Sequence, residues 1–131
     1  MAVISTQYET LRKRLLEVRI RLLHELEQLR VLNQSLGEAN SGESGYSNHM
    51  ADDASETFEL EKNLALERSL QSHLEEIDYA LQKFRKGTYG LCDDCGQPIS
   101  IERLEALPHA NLCINCKARR ERETREGHSR G

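Results

Sequence analysis

Apolar side chains recur at steps of three and four along two long stretches of the chain, a pattern typical of helices that pair through one apolar face. The first stretch covers residues 6–36 and is interrupted at Glu25, beside Leu26. Its apolar positions are Tyr8, Leu11, Leu15, Val18, Leu22, Leu29, Leu32 and Leu36. The second stretch, from about residue 53 to 86, carries Phe58, Leu60, Leu64, Leu66, Leu70, Leu74, Ile77, Leu81 and Phe84. The sequence therefore predicts two helices of about 30 residues each.

The segment between the two stretches favours a reversal of the chain. Residues 37–52 contain three glycines and three serines, which interrupt a helix. We expect a hairpin tip over residues 37–54, with Asp52 or Asp53 as the cap of the second helix. Two helices joined in this way bury their stripes most simply against each other, as an antiparallel coiled coil. A homodimeric four-helix bundle, or pairing of helices between chains, is the alternative.

The second helix should end at Gly87, because glycine favours the position after a helix and three basic residues precede it, Lys83, Arg85 and Lys86. The expected fold class is accordingly mostly α. A long antiparallel coiled-coil hairpin occupies residues 1–86. A small four-cysteine zinc-finger module with a short, basic C-terminal helix occupies residues 87–131.

Composition narrows the range of functions. With 131 residues, 37% of them hydrophobic and no tryptophan, a thick enzyme core is not expected. The net charge of -4 argues against a protein that holds nucleic acid by phosphate neutralisation alone. No apolar stretch has the length of a signal peptide or of a membrane span, so we expect a cytoplasmic protein. Its four cysteines would then be reduced, and a metal site is the first expectation.

The four cysteines form two C-x-x-C pairs, and 17 residues separate Cys95 from Cys113. This spacing predicts one structural zinc ion held by Cys92, Cys95, Cys113 and Cys116. Four thiolates close the coordination sphere and leave no position for a catalytic water. Dithiol redox chemistry is one alternative, but a redox-active C-x-x-C pair normally accompanies a βαβ unit. An iron–sulfur cluster is the other, but its common cysteine spacings differ from this one. His109 is expected to be a loop residue.

The C-terminal residues 117–131 contain six basic and three acidic side chains. Lys117, Arg119 and Arg120 are candidates for contacts with phosphate or with a partner, although interleaved glutamates make a solvated charged face the simpler interpretation. The sequence contains no P-loop, G-x-G-x-x-G, nucleophile elbow or H-E-x-x-H motif. We therefore expect no enzymatic activity.

A pattern of residues around the cysteines runs from Tyr89-Gly90-Leu91-Cys92 to Gly96 and continues with Ile99, Arg103-Leu104-Glu105-Ala106, Pro108 and Leu112-Cys113 to Cys116-Lys117. This pattern resembles the DksA/TraR family of bacterial transcription regulators. The resemblance covers most of the chain. It implies a coiled-coil finger on a four-cysteine zinc globule, which binds RNA polymerase rather than promoter DNA. It also implies that the finger enters the secondary channel leading to the active site.

The same resemblance places a D-x-x-D-x-A motif at the hairpin tip. In a gapless register from Cys92, its second aspartate falls on Asp52 and its alanine on Ala54, whereas His49 stands in place of the first aspartate. Asp53 adds a neighbouring carboxylate. A tip carboxylate can pair with basic groups or approach magnesium, and a largely neutral histidine is a poor magnesium ligand. The alternative role for Asp52 and Asp53 is helix capping alone.

Some family members respond to guanosine tetraphosphate through basic residues near the junction of rod and globule. In the gapless register this chain keeps Arg103 and Lys117 but has Ser69, Glu76 and Leu107 at the other positions. Because Glu76 would repel a polyphosphate, we expect weak or absent synergy with the nucleotide.

The leading hypothesis is a regulator that binds RNA polymerase and modulates transcription initiation through its tip. A zinc-ribbon nucleic-acid binder, using residues 117–125 on phosphates, is the first alternative. A structural zinc adaptor for another protein is the second.

Overall fold

The residues that the structure describes form four helices and two turns that carry the cysteines. The computed structural model describes residues 2–41 and 50–130, with side chains over residues 6–38 and 57–126. The helices are α1 (Ala2–Ser41), α2 (Met50–Lys86), α3 (Ile101–Ala106) and α4 (Ile114–Arg130). Within the described ranges the only strand-like pairing is an isolated antiparallel bridge between Leu91 and Pro98. The predicted mostly helical class is confirmed.

Both long helices exceed their predicted bounds. α1 continues to Ser41 and α2 begins at Met50, so the helices extend into the predicted tip segment. Asp52 and Asp53 therefore lie inside α2, and the prediction that either one caps the helix is wrong. Ala54 also lies in α2, whereas His49 lies outside the described residues. The predicted function of these four tip residues stays a prediction.

The C-terminus of α2 follows the prediction closely. Lys86 is its last residue and Gly87 adopts a left-handed φ of 75°. The Gly87 N–H donates to the Phe84 carbonyl at 3.3 Å, and the Thr88 N–H donates to the Lys83 carbonyl at 2.9 Å. This pair of bonds is a Schellman motif, which satisfies carbonyls that the end of a helix would otherwise leave without a donor.

The chain separates into two compact units, and the boundary crosses α1 and α2 rather than following residue 86. We call Met1–Glu17 together with Glu76–Gly131 the cysteine unit, and Val18–Glu75 the hairpin unit. The predicted division into residues 1–86 and 87–131 stays a prediction. By contacts, the first turns of α1 and the last turns of α2 are part of the cysteine unit.

In the hairpin unit α1 and α2 run antiparallel. Arg30 donates to Gln71 at 3.1 Å and Asn33 donates to Glu67 at 3.4 Å, so rising numbers in α1 meet falling numbers in α2. Leu22, Leu26 and Leu74 are buried between the helices. The predicted antiparallel pairing of the two helices is confirmed here.

The predicted apolar stripes are wrong in detail. Leu26 is 2% exposed and Asn33 is 6% exposed, whereas Leu32 is 49% exposed. The seam moves by one residue after Leu22, because a straight helix has 3.6 residues per turn and drifts from a strict heptad. In α2 the loosely patterned residues Phe58, Leu64 and Leu66 are exposed, and Asn63 is buried.

The core of the cysteine unit combines all four helices and the loops between them. Leu104 of α3 is completely buried, and Leu11 and Leu15 of α1 are each 2% exposed. The other buried apolar residues of this unit are Ile77, Ala80, Leu81, Tyr89, Cys92, Ile99, Leu112 and Cys116. Burial of these side chains is the main stabilising contribution of the protein chain itself.

Aromatic contacts attach the beginning of α1 to this core. Tyr89 stacks on Phe84 with ring centroids 3.9 Å apart, and Tyr8 meets Tyr89 edge-on at 5.1 Å. The Tyr89 hydroxyl donates to the Pro108 carbonyl at 2.8 Å. Burial raises the pKa of Tyr89, so this hydroxyl keeps its proton. Arg14 adds a bond to the Glu105 carbonyl at 3.0 Å.

Candidate metal centre

The first C-x-x-C turn is held by backbone hydrogen bonds. The Cys92 N–H donates to the Gln97 carbonyl at 2.8 Å, and the Gly96 N–H donates back to the Cys92 carbonyl at 2.9 Å. Gly96 has a φ of 75°, a left-handed conformation that side chains disfavour. These bonds point the side chains of Cys92 and Cys95 to the same side of the turn.

The second C-x-x-C turn opens α4. The Lys117 N–H donates to the Cys113 carbonyl at 2.9 Å, so Cys116 lies in the first helical turn. The Asp93 N–H donates to the Asn111 carbonyl at 2.9 Å and joins the two turns. The two cysteine pairs, which 17 residues separate in the sequence, are therefore adjacent in the fold.

α3 lies between the two cysteine pairs and was not predicted from the sequence. Its N-cap is Ser100, whose hydroxyl accepts from the Arg103 N–H at 3.2 Å. Arg103 Nε donates to the Leu112 carbonyl at 2.9 Å, immediately before Cys113. Serine at the cap was the available signal, but a helix of six residues is too short to give a periodic pattern.

The four cysteine side chains converge. Their Sγ atoms all lie within 4.8 Å of one another, and Cys95 Sγ lies 3.9 Å from Cys113 Sγ. A tetrahedron with Zn–S bonds of about 2.3 Å has sulfur atoms about 3.8 Å apart. The donor set therefore fits zinc in both chemistry and spacing. Cys92 and Cys116 are buried, Cys113 is partly exposed and Cys95 is exposed.

The thiols influence one another strongly. Burial works against ionisation of Cys92, but N–H groups of Cys113, Cys95 and Asp94 outweigh it and lower the pKa of Cys92 to about 6. The neighbouring thiols and burial raise the pKa of Cys116 to about 12. The folded protein therefore favours ionisation of the Cys92 thiol and opposes ionisation of the Cys116 thiol. A bound cation is needed to stabilise all four thiolates together.

Carboxylates inside the first turn contact two helices. Asp93 accepts from Lys83 of α2 at 2.8 Å and from the Tyr79 hydroxyl at 2.7 Å. Although burial opposes its charge, these two donors lower the pKa of Asp93 below the ordinary aspartate value. Asp94 receives a bidentate contact from Arg120 of α4, with Arg120 Nε at 2.8 Å. Sequence reasoning missed this role of Asp93 and Asp94, although both lie between Cys92 and Cys95 in the printed sequence.

The predicted basic contact residues have different surroundings. Arg103 is half-buried and bonded to backbone, and Arg120 is paired with Asp94. Arg119 donates to Cys116 Sγ at 3.8 Å, and Lys117 Nζ lies 4.0 Å from Glu121. All four therefore have contacts within the cysteine unit. Their use by phosphate or by a partner stays a prediction.

His109 is a loop residue, as expected. Its Nε2 lies 3.3 Å from Glu76 Oε2, away from the sulfur cluster. The metal-ligating cluster found among the described residues contains the four cysteines alone. None of the described helices has the length and apolar character required to cross a membrane.

The chain is similar to several known proteins. Residues 87–122 match the family described as the prokaryotic dksA/traR C4-type zinc finger. The chain is 33% identical over 118 residues to General stress protein 16O of Bacillus subtilis (strain 168), covering 90% of this chain and 71% of that protein. It is 46% identical over 63 residues to RNA polymerase-binding transcription factor DksA of Haemophilus influenzae, covering 47% of this chain and 41% of that protein.

A solved structure extends the likeness beyond the cysteine turns. Transcription factor DksA2 from Pseudomonas aeruginosa superposes with a TM-score of 0.76 at 31% sequence identity. The match covers 92% of this chain and 87% of that chain. Both the helices and the cysteine turns therefore have counterparts in one solved protein.

Proposed function

The chain belongs to the DksA/TraR family of C4 zinc-finger proteins, and from this premise we propose that it is a non-enzymatic transcription regulator that binds RNA polymerase. The observation that carries the proposal is the match to a DksA2 structure over 92% of the chain. Two of the relatives are named as transcription factors, and one of these is named as RNA polymerase-binding. A regulator of this kind works in the cytoplasm, where the polymerase is.

The hairpin unit supports the finer part of the proposal. We infer that residues 37–54 enter the secondary channel of the polymerase and act near its active site. Paired helices supply a support for such a segment, since each helix limits bending of the other. Asp52 and Asp53 would supply negative charge there, and His49 would alter the contact that the resemblance assigns to an aspartate.

Contacts in the cysteine unit favour this proposal over direct nucleic-acid binding. Arg120 is neutralised by Asp94, and Lys117 lies beside Glu121. Phosphate binding would have to displace these carboxylates, which reduces the gain from each contact. We expect no binding to promoter DNA without polymerase, and therefore no DNA affinity that falls steeply with salt concentration.

The nucleotide response is expected to be weak. Glu76 is exposed in the cysteine unit and lies beside His109. Its carboxylate would repel guanosine tetraphosphate in this region. Transcription inhibition titrated with and without the nucleotide tests this expectation, and a gain in potency above about tenfold, or about 1.4 kcal/mol, would contradict it.

The deciding experiment measures polymerase binding and transcription separately. The zinc-loaded chain is compared with a variant in which residues 37–52 are replaced by a short Gly-Ser turn. We expect both proteins to co-elute with polymerase core in size exclusion, and only the intact chain to change transcription initiation in vitro. Absence of co-elution for both proteins would refute the proposal, and an unchanged transcriptional effect of the variant would refute the role of the tip.

A further inference from the structure

The two aspartates between Cys92 and Cys95 each contact a different helix through a separate basic residue. Asp93 reaches α2 through Lys83, whose side chain is only 7% exposed. Asp94 reaches α4 through Arg120. The sequence order Cys-Asp-Asp-Cys thus connects one metal-binding turn to the end of one helix and the start of another.

The Asp93 contacts are short, and the Lys83 side chain is buried whereas the Asp93 side chain is 28% exposed. Lys83 Nζ donates to Asp93 Oδ1 at 2.8 Å and to the Leu91 carbonyl at 2.7 Å, so one ammonium group binds residues on both sides of Cys92. Tyr79 donates to the second oxygen of Asp93 at 2.7 Å. Loss of Asp93 from this pair is costly, since the Lys83 ammonium would stay buried without that counter-charge.

The Asp94 contacts place cationic groups beside the metal-binding sulfur atoms. Arg120 binds both oxygens of Asp94, with Nε at 2.8 Å, and Arg119 Nη2 lies 3.9 Å from the same carboxylate. Arg119 also donates to Cys116 Sγ at 3.8 Å. A zinc ion with four thiolates keeps a net negative charge. Because Asp93 and Asp94 add to it, the surrounding cations are needed to offset the repulsion.

We propose that Asp93 and Asp94 are positioning residues that couple zinc occupancy to two helix ends, through Lys83 to the last turns of α2 and through Arg120 to the first turns of α4. Zinc orders the turn and thereby aligns both carboxylates with their helices. Coupling of binding equilibria is reciprocal, so the two pairs also raise the affinity for zinc. Partners of metal ligands commonly contribute factors of about 10–100 to metal affinity.

The test uses the protein and metal ions alone and is independent of polymerase. Lys83→Met and Arg120→Gln each remove one pair. Lys86→Met and Arg122→Gln are matched controls, because these exposed residues lie on the same helices and lose the same charge. The readouts are zinc affinity by competition with a chelator, and hydrogen exchange of residues 77–86 and 114–122 with and without zinc.

In the unmodified chain we expect zinc to slow exchange in both regions. Lys83→Met should abolish the zinc response of residues 77–86 and keep that of residues 114–122, and Arg120→Gln should do the reverse. Each variant should lower zinc affinity about tenfold, and the double variant should lower it further than either single variant. Both controls should match the unmodified chain.

Cobalt absorption checks that each variant still forms a tetrahedral thiolate site. Asp93→Asn and Asp94→Asn replace the acidic member of each ion pair. They should reproduce the hydrogen-exchange patterns of Lys83→Met and Arg120→Gln respectively. Loss of the zinc response in both regions from a single substitution would overturn the proposal, since that substitution would then act on the whole unit. Zinc affinities unchanged within about threefold would also overturn it.

Discussion

At the scale of single residues, Gly90 shows how one position can serve two requirements at once. Its φ of 85° lies in the left-handed region, where a side chain is disfavoured. A Cβ atom built on Gly90 would also lie 2.8 Å from Cζ of Tyr8, closer than carbon atoms approach without a shift. Tyr8 of α1 can therefore keep its position beside residue 90 only if residue 90 has no side chain.

Gly90→Ala should accordingly lower the stability of the zinc-loaded protein by more than Gly96→Ala. Gly96 has a φ of 75° with open space around it, so alanine there costs conformational strain alone, about 1–2 kcal/mol. Gly90→Ala adds the displacement of Tyr8. Urea unfolding midpoints measure the difference, and an equal loss in the two variants would contradict it.

Gly37→Ala is the matched control, since Gly37 lies inside α1 with no atom within 4 Å of a built Cβ. Alanine is favoured over glycine in a helix by about 1 kcal/mol. This substitution should raise the unfolding midpoint, in the opposite direction to the other two.

Asp52 allows a second prediction at this scale. It lies in α2 but not at its cap, so Asp52→Asn should leave the melting temperature nearly unchanged. Because the proposed function uses its negative charge, the same substitution should weaken the effect on transcription initiation. Glu61→Gln, an exposed neutralisation farther along α2, is the control. A lower melting temperature with full activity would assign Asp52 to folding instead.

At the scale of the helices, the residues buried in the seam between α1 and α2 differ from those that the heptad pattern predicts. A strict heptad places Leu32 in the seam and leaves Leu26 beside it, whereas the fold buries Leu26 and exposes 49% of Leu32. Asn33 and Asn63 are buried in the same unit, and Asn33 Oδ1 and Asn63 Nδ2 find no hydrogen-bond partner among the described residues. Polar seam positions lower stability and favour one register over others.

Leu26→Ala should therefore cost about 2–5 kcal/mol of unfolding free energy, as for other buried leucines. Leu32→Ala should change it by no more than about 0.5 kcal/mol. Chemical denaturation of the two variants under identical zinc loading provides the measurement. A larger loss of unfolding free energy for Leu32→Ala than for Leu26→Ala would contradict this seam and support the strict heptad.

The elements also show what sequence can predict and where it stops. Local chemistry predicts the end of α2, because Gly87 is a position where the backbone itself requires glycine. Cysteine spacing predicts the metal cluster, because two-residue turns constrain the ligands before any folding. α3 and the pairing of Asp93 with Lys83 depend on residues brought together by the tertiary structure, and neither leaves a periodic pattern.

At the scale of the whole molecule, the chain contains two units with different sources of stability. The hairpin unit has its own buried residues, including Leu22, Leu26 and Leu74. The cysteine unit holds most of the described buried apolar residues and, in addition, the metal-ligating cluster. Zinc contributes about 10–16 kcal/mol of binding free energy in small zinc-finger peptides, comparable to the entire stability of a domain.

Chelation should therefore unfold the cysteine unit and leave part of the helical signal. We expect circular dichroism at neutral pH to fall partially after zinc removal and to recover when zinc is returned, and Cys95→Ser to reproduce the loss. Complete loss of helical signal would show that the hairpin unit depends on zinc as well.

The unequal exposure of the cysteines has a consequence for the kinetics of metal exchange. Cys92 and Cys116 are buried, whereas Cys95 is exposed. An incoming thiol or chelator can reach the ion first from the side of Cys95, forming a mixed-ligand intermediate before the buried ligands are released. Exchange by this associative route is first order in the incoming ligand, so the lifetime of the bound ion is set by the thiols around the protein as well as by its equilibrium affinity.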